Sequence, residues 1–164
     1  MDTPVGIRPR KGIVGATHLS HGTLMSRDLA KSRRFYEEFL GLEVVRHARP
    51  AMVLRLNSSL YVVCVCIGER APAQHVLTHW GLNVASREEV DRVHAAAERL
   101  KDEYGIRKIN KVMDRHGAYA FYMQDLDGNW WEVQHEKRGI DDFFGAGDVI
   151  DMGVHATETE ESHD

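Results

Sequence analysis

The chain has 164 residues, 43% hydrophobic and 28% charged, with only four prolines. That is about one domain's worth of folded chain, too short for two ordinary domains and unlike a disordered or collagen-like polymer. Twenty-one basic residues against twenty-five acidic ones give a net charge of −4, so no global positive field exists to grip nucleic acid.

Residues 1–12, with Pro4, Gly6, Pro9 and Gly12 among Arg8, Arg10 and Lys11, read as a flexible basic leader. They lack a signal peptide's apolar stretch, and no apolar run reaches the roughly 20 residues that cross a bilayer, which makes the cytoplasm the expected compartment. The ordered domain is expected over residues 13–154. An apolar strand at Leu19 to Met25 leads to a helix opened by Asp28, with Leu29, Phe35, Tyr36, Phe39 and Leu40 on its apolar side and Gly41 as its stop. Three strands follow, at Glu43 to Ala48, Ala51 to Asn57 and Leu60 to Ile67. Cys64 and Cys66 lie side by side on the last of these, a poor geometry for a mutual bridge, and read as reduced core residues.

After a linker around Pro72, Gln74 and His75 the same order recurs. A strand at Leu77 to Val84 is followed by the capping box Ser86-Arg87-Glu88-Glu89 and a helix with Val90, Val93, Ala97 and Leu100 on one face, closed by Gly105. Strands at Arg107 to Met113, Gly117 to Gln124 and Asn129 to Glu136 complete it, the last two joined by a tight turn at Leu126-Asp127-Gly128. The expected fold class is therefore α+β: two βαβββ modules, about 17–70 and 75–138, whose mixed sheets curl around a cleft. Residues 139 onward form a looser closing segment, and 155–164, with Glu158, Glu160 and Glu161, an acidic tail. Exposed sheet edges on so small a unit favour a homodimer.

The repeat sorts the ten histidines. His21 stands seven residues before Asp28 and His79 seven before Ser86, so the two are repeat-equivalent, and a pseudo-twofold relating the modules would bring them to one cleft. Glu132, between Trp131 and Val133, is a carboxylate in an apolar strand, costly unless paired or coordinated. Two imidazoles and one carboxylate leave a metal's opposite positions open, the set that Fe(II) uses with O2 and that also suits Mn(II) or Zn(II). His18, His47, His94, His135, His155 and His163 have no repeat partner and read as surface or tail residues. Trp130 and Trp131 point to opposite faces of a strand, one to the core and one outward.

These residues resemble a known superfamily. The run from His21 through Asp28-Leu29 to Phe35-Tyr36 and Leu40-Gly41 looks like the opening of the vicinal oxygen chelate superfamily, which includes glyoxalase I, fosfomycin-resistance transferases, bleomycin-resistance proteins and type I extradiol dioxygenases. Tyr119 to Glu132 resembles its closing motif, with Leu126 in place of the usual Pro. The resemblance implies a metal site of His21, His79 and Glu132. Arg115-His116-Gly117 and Tyr122 are similar to features of catechol-cleaving members, which implies Fe(II)-dependent extradiol cleavage of a small aromatic diol by O2, with Tyr122 and His116 orienting substrate and moving protons. The first module's fourth strand, where those enzymes carry an acid/base histidine, has Val62, Cys64 and Cys66, which leaves His75 or His116 for that role. Trp80, Trp130, Phe143 and Phe144 are candidates for cleft walls or a lid. Isomerisation, epimerisation and thiol transfer use the same ligand set in other members. A metal-free, ligand-sequestering protein is the remaining alternative.

Overall fold

Asp28 and Ser86 start the two long helical segments for the same reason: each side chain accepts backbone N–H groups that the first helical turn leaves unpaired. Asp28 takes those of Ala30 and Lys31, and Ser86 that of Glu89. The computed structural model describes residues 13–14, 18–57, 60–115 and 117–146. Strand β1 (His21–Ser26) precedes α1 (Leu29–Arg34), which passes into a π-helical turn at Phe35–Phe39, and then come β2 (Glu43–Ala48), β3 (Ala51–Arg55) and β4 (Tyr61–Cys66). The second module runs β5 (His79–Asn83), α2 (Arg87–Arg99), α3 (Lys101–Tyr104), β6 (Lys108–Ile109), β7 (Met113–Arg115), β8 (Ala118–Gln124) and β9 (Trp130–Glu136). Gly41 and Gly105 follow the helical segments with φ of +71° and +68°, a conformation that a side chain would strain.

The sheet orders are β1-β4-β3-β2 and β5-β9-β8-β6, with β7 also on β8. In each module the first strand lies parallel to the last and the remaining ladders are antiparallel, so the repeat read from sequence is a repeat of topology. The expected strand at Arg107 to Met113 is two strands instead. Asn110 breaks it: its N–H donates to Tyr122 O (2.8 Å) and its carbonyl accepts from His94 Nε2 (3.1 Å). His94 is half-buried with its ring edge-on to Phe121, and His135 is half-buried on Val84 O (3.0 Å), so neither is the surface residue expected.

One apolar core serves both modules, running from Leu24, Phe35 and Tyr36 through Met52, Leu54 and Cys64 to Val90, Phe121, Met123 and Trp131. Burial pushes the Cys64 thiol up to about 12, which keeps it protonated and inert. Gly22 lies against Trp80 of the other module, where a Cβ on Gly22 would collide with the indole. The acidic turn between β8 and β9 joins the modules. Arg27 N–H donates to Asp127 Oδ1 (2.6 Å), Asn129 Nδ2 donates to Met25 O (2.8 Å), and Ser32 Oγ lies 2.6 Å from Asp127 Oδ2.

That last contact is crowded. Ser32 Oγ is also 2.7 Å from Asp28 O and 2.7 Å from Ser26 Oγ, and its single proton cannot serve Asp28 O and Asp127 together. Burial raises the Asp127 carboxyl to about 6, against the hydrogen bonds from Ser32 and Arg27 that favour its ionised form. Because the folded value lies above the ordinary 3.8, the folded state binds this proton more tightly than the unfolded chain. The contribution is fully present below the unfolded value and is lost as pH rises through about 6. Wild-type unfolding free energy relative to Asp127→Asn should therefore grow on acidification from pH 7 to pH 4, by about 2 kcal/mol. A difference that stays flat in urea titrations across this range would contradict the assignment.

Residues 11–137 form one unit, and the chain from Arg138 belongs to a second. In that second unit α4 (Ile140–Ala146) begins with Gly139 N–H donating to Asp142 Oδ2 (2.6 Å), and the Arg138 guanidinium lies over the Phe143 ring (4.6 Å). Among the described residues no helix is long and apolar enough to cross a membrane. The leader at 1–12 and the tail at 155–164 lie outside the described residues.

Candidate metal centre

Strand alternation divides each sheet into a core face and an open face. In β5, Trp80 and Leu82 turn inward while His79, Gly81 and Asn83 turn outward; β9 matches this with Trp131 and Val133 inward and Glu132 and Gln134 outward. The register pairs Gly81 with Glu132 and Tyr122 with Glu132, which sets Tyr122 on the open face next to the carboxylate.

Three of the expected site residues meet there. Tyr122 OH donates to Glu132 Oε1 (2.7 Å), which leaves Oε2 turned toward His79. His79 Nε2 stands 3.3 Å from that oxygen. The other ring nitrogen, His79 Nδ1, is 2.7 Å from Val76 O, and since a carbonyl can only accept, Nδ1 carries the proton. Nε2 is therefore the ring nitrogen that faces the carboxylate oxygen, and with its lone pair free a cation between the two atoms would satisfy both. The His79 and Tyr122 rings meet edge to face at 5.0 Å between centroids. A backbone carbonyl holding the non-ligating nitrogen is the usual support of a metal-binding imidazole, so this donor set fits a divalent metal.

His21 is elsewhere. It lies on the open face of the first sheet with Thr23 and Met25, exposed, stacked on Tyr61 (5.3 Å between centroids) and 2.9 Å from Ser20 Oγ through Nδ1. The first strands do approach, but through Gly22 and Trp80 on their core faces, so alternation turns both histidines away from that contact. Among the described residues no three metal-ligating side chains come together within the chain.

The remaining candidates are placed as follows. Trp80 turns inward and lines an apolar groove with Leu54, Val62, Leu82 and Trp131. Trp130 and Trp131 are both buried, at 6% and 2% exposure, where one was expected to point outward. Trp130 is withdrawn because its indole N–H donates to Gln74 O (2.9 Å), and Trp131 Nε1 donates to Asp125 Oδ2 (3.0 Å). His75 is exposed in the loop before β5, its Nδ1 accepting from Leu77 N–H (3.2 Å). His116 lies outside the described residues. Phe143 and Phe144 are exposed on α4, in the second unit. Two supporting groups were missed by sequence reasoning: the Val76 carbonyl, which no side-chain pattern marks, and Gln74.

Residues 18–133 match the family described as the Glyoxalase/Bleomycin resistance protein/Dioxygenase superfamily. No curated protein matches the chain. Among solved structures, a possible glyoxalase from Bacillus cereus is 26% identical with a TM-score of 0.56, covering 72% of this chain and 98% of its own. A mutant of the fosfomycin resistance protein FosX from Listeria monocytogenes, complexed with Mn(II) and 1S,2S-dihydroxypropylphosphonic acid, is 20% identical with a TM-score of 0.58, covering 74% and 92%. An oxidase, ChaP-H2, is 20% identical with a TM-score of 0.54, covering 75% and 96%. The last two likenesses are of fold.

Proposed function

The chain belongs to the glyoxalase/bleomycin resistance protein/dioxygenase superfamily, and we propose that it is a divalent-metal-dependent enzyme whose metal is held by His79, Glu132 and His21. The observation that carries this reading is the 3.3 Å approach of His79 Nε2 to Glu132 Oε2 with Nδ1 committed to Val76 O. His21 reaches that pair from a second copy, the open face of one chain's first sheet covering the open face of the other's second sheet. Support for a homodimer of this kind is the apolar character of the first sheet's open face, where Val45 is 52% and Tyr61 39% exposed beside Val53, Val63 and Val65.

His79, Glu132 and His21 would hold the metal, which would supply Lewis-acid polarisation of a substrate oxygen. Tyr122 holds Glu132 by Oε1 and stands where its hydroxyl can steady a substrate oxygen or exchange a proton with it. The finer reading is ring cleavage of a small catechol-type diol with O2 on Fe(II). It is supported by three protein ligands that leave room for both reactants and by Tyr122 in the site. Mn(II) and Zn(II) suit the same ligands, and Mn(II) is the ion in the Listeria protein. One observation favours a second reading, isomerisation or thiol transfer: the open-face positions of β4 are Tyr61, Val63 and Val65, with no imidazole to act as acid and base.

Protein prepared without oxygen, loaded with Fe(II) and offered a panel of catechols in aerated buffer should take up O2 and form yellow ring-opened product. No uptake by metal-replete protein rejects ring cleavage and leaves the second reading, whereas failure to bind any divalent metal rejects both. Tyr122→Phe should keep its metal and lose about tenfold to a hundredfold in turnover. Shared sites make a separate prediction. His21→Ala and Glu132→Ala, inactive alone, should regain roughly a quarter of wild-type metal sites when unfolded and refolded together, because half the dimers then contain one complete site. No recovery on mixing would rule out a site shared between two copies.

A further inference from the structure

The loop before β5 is held at Gln74, and one of the groups that hold it comes from the strand that carries Glu132. Gln74 N–H donates to Gly128 O (2.9 Å), and Trp130 Nε1 donates to Gln74 O (2.9 Å). Gly128, with φ of +96°, backs onto the same stretch so closely that a Cβ there would lie 2.8 Å from Ala73 Cα. Ala73 and Gln74 are thus clamped between the closing turn and a buried indole. Beyond the clamp the chain makes one tight turn, with Thr78 N–H donating to His75 O (2.8 Å) and Leu77 N–H to His75 Nδ1 (3.2 Å). That turn presents Val76 O to His79 Nδ1 at 2.7 Å. Trp130 is also the residue paired with His79 in the β5–β9 ladder, so one side chain ties the loop to the strand beside the imidazole.

We infer that Trp130 is a positioning residue for His79: by anchoring Gln74 it fixes Val76 O, and Val76 O keeps the imidazole proton on Nδ1 and the Nε2 lone pair aimed at Glu132. The purpose of this arrangement rests on the metal reading, but the arrangement itself is testable without metal. A neutral imidazole released from such a carbonyl has both tautomers open to it.

The experiment is ring-nitrogen NMR of the full-length, metal-free protein, with the His79 signals assigned by their loss in His79→Gln. At a pH high enough for the ring to be neutral, wild type should show the His79 proton on Nδ1. Trp130→Phe, which keeps an aromatic ring and deletes the indole N–H, should show mixed tautomers at His79 and bind Co(II) about tenfold more weakly. Gly128→Ala, which pushes Ala73 out of the clamp from the other side, should reproduce both changes and serves as well if Trp130→Phe does not fold. An unchanged His79 tautomer in either folded variant overturns the inference. Absence of Co(II) binding by wild type overturns the metal reading instead, and leaves the tautomer comparison to decide the role of Trp130.

Discussion

Glu132→Ala is expected to abolish stoichiometric retention of a divalent metal while the protein stays folded. The carboxylate supplies the oxygen 3.3 Å from His79 Nε2 and the acceptor for Tyr122, and both lie on the open face of the second sheet. Loss of a residue that merely supports a ligand costs roughly 10- to 100-fold in affinity, and loss of a ligand should exceed that. Co(II) titration should therefore show a drop beyond about 100-fold, and elemental analysis should find sub-stoichiometric metal after purification. Stability should change by less than about 1 kcal/mol, since no core contact is removed. His79→Ala should behave alike. Normal metal content in either variant would remove that residue from the ligand set.

The second large effect is expected far from the metal. Asp125 is fully buried and gathers donors from three segments: Trp131 Nε1 (3.0 Å), Tyr36 OH (3.2 Å), Asn129 Nδ2 (3.1 Å) and the backbone N–H groups of Asp127 and Asn129 (both 2.9 Å). Burial raises the Asp125 carboxyl above the ordinary carboxylate range, and the donors from Trp131 and Asn129 act against that rise. Asp125→Ala strands all of these donors in a dry core and should cost about 3–5 kcal/mol, much of the 5–15 kcal/mol that holds a typical domain. Urea unfolding followed by tryptophan fluorescence measures it directly. A loss under about 1 kcal/mol would mean that water replaces the carboxylate. Asp125→Asn, which keeps one acceptor oxygen and the volume, should lose less.

The fold was legible where local chemistry decides it. Asp28 and Ser86 are caps in the sequence and in the structure, and in each module the first strand lies parallel to the last, with one expected strand of the second module divided in two. The break at Asn110 was not legible, because it depends on His94 from α2 taking a carbonyl that a strand would otherwise use. Likewise, alternation assigns Trp130 to the open face but says nothing of a loop carbonyl from Gln74 that draws the indole under cover. At the site, the repeat identified His21 and His79 as equivalent positions, and the unusual carboxylate in an apolar strand identified Glu132. Equivalence fixes a residue's place within its module and not the direction in which one module's open face looks relative to the other's. The Asp125 and Asp127 network escaped for a related reason: a turn rich in acids looks solvated until the segment that buries it, about a hundred positions earlier, is brought against it.

The link between Asn129 and Met25, 104 positions apart, bears on how the chain reaches its native state. During synthesis the β1–α1 corner leaves the ribosome long before the turn that completes it, so Ser26 and Ser32 wait without the Asp127 partner that seals them. The hydrogen bonds that complete the β1–α1 corner are thus contacts of very high sequence separation, the kind that slows folding relative to a chain held by local contacts.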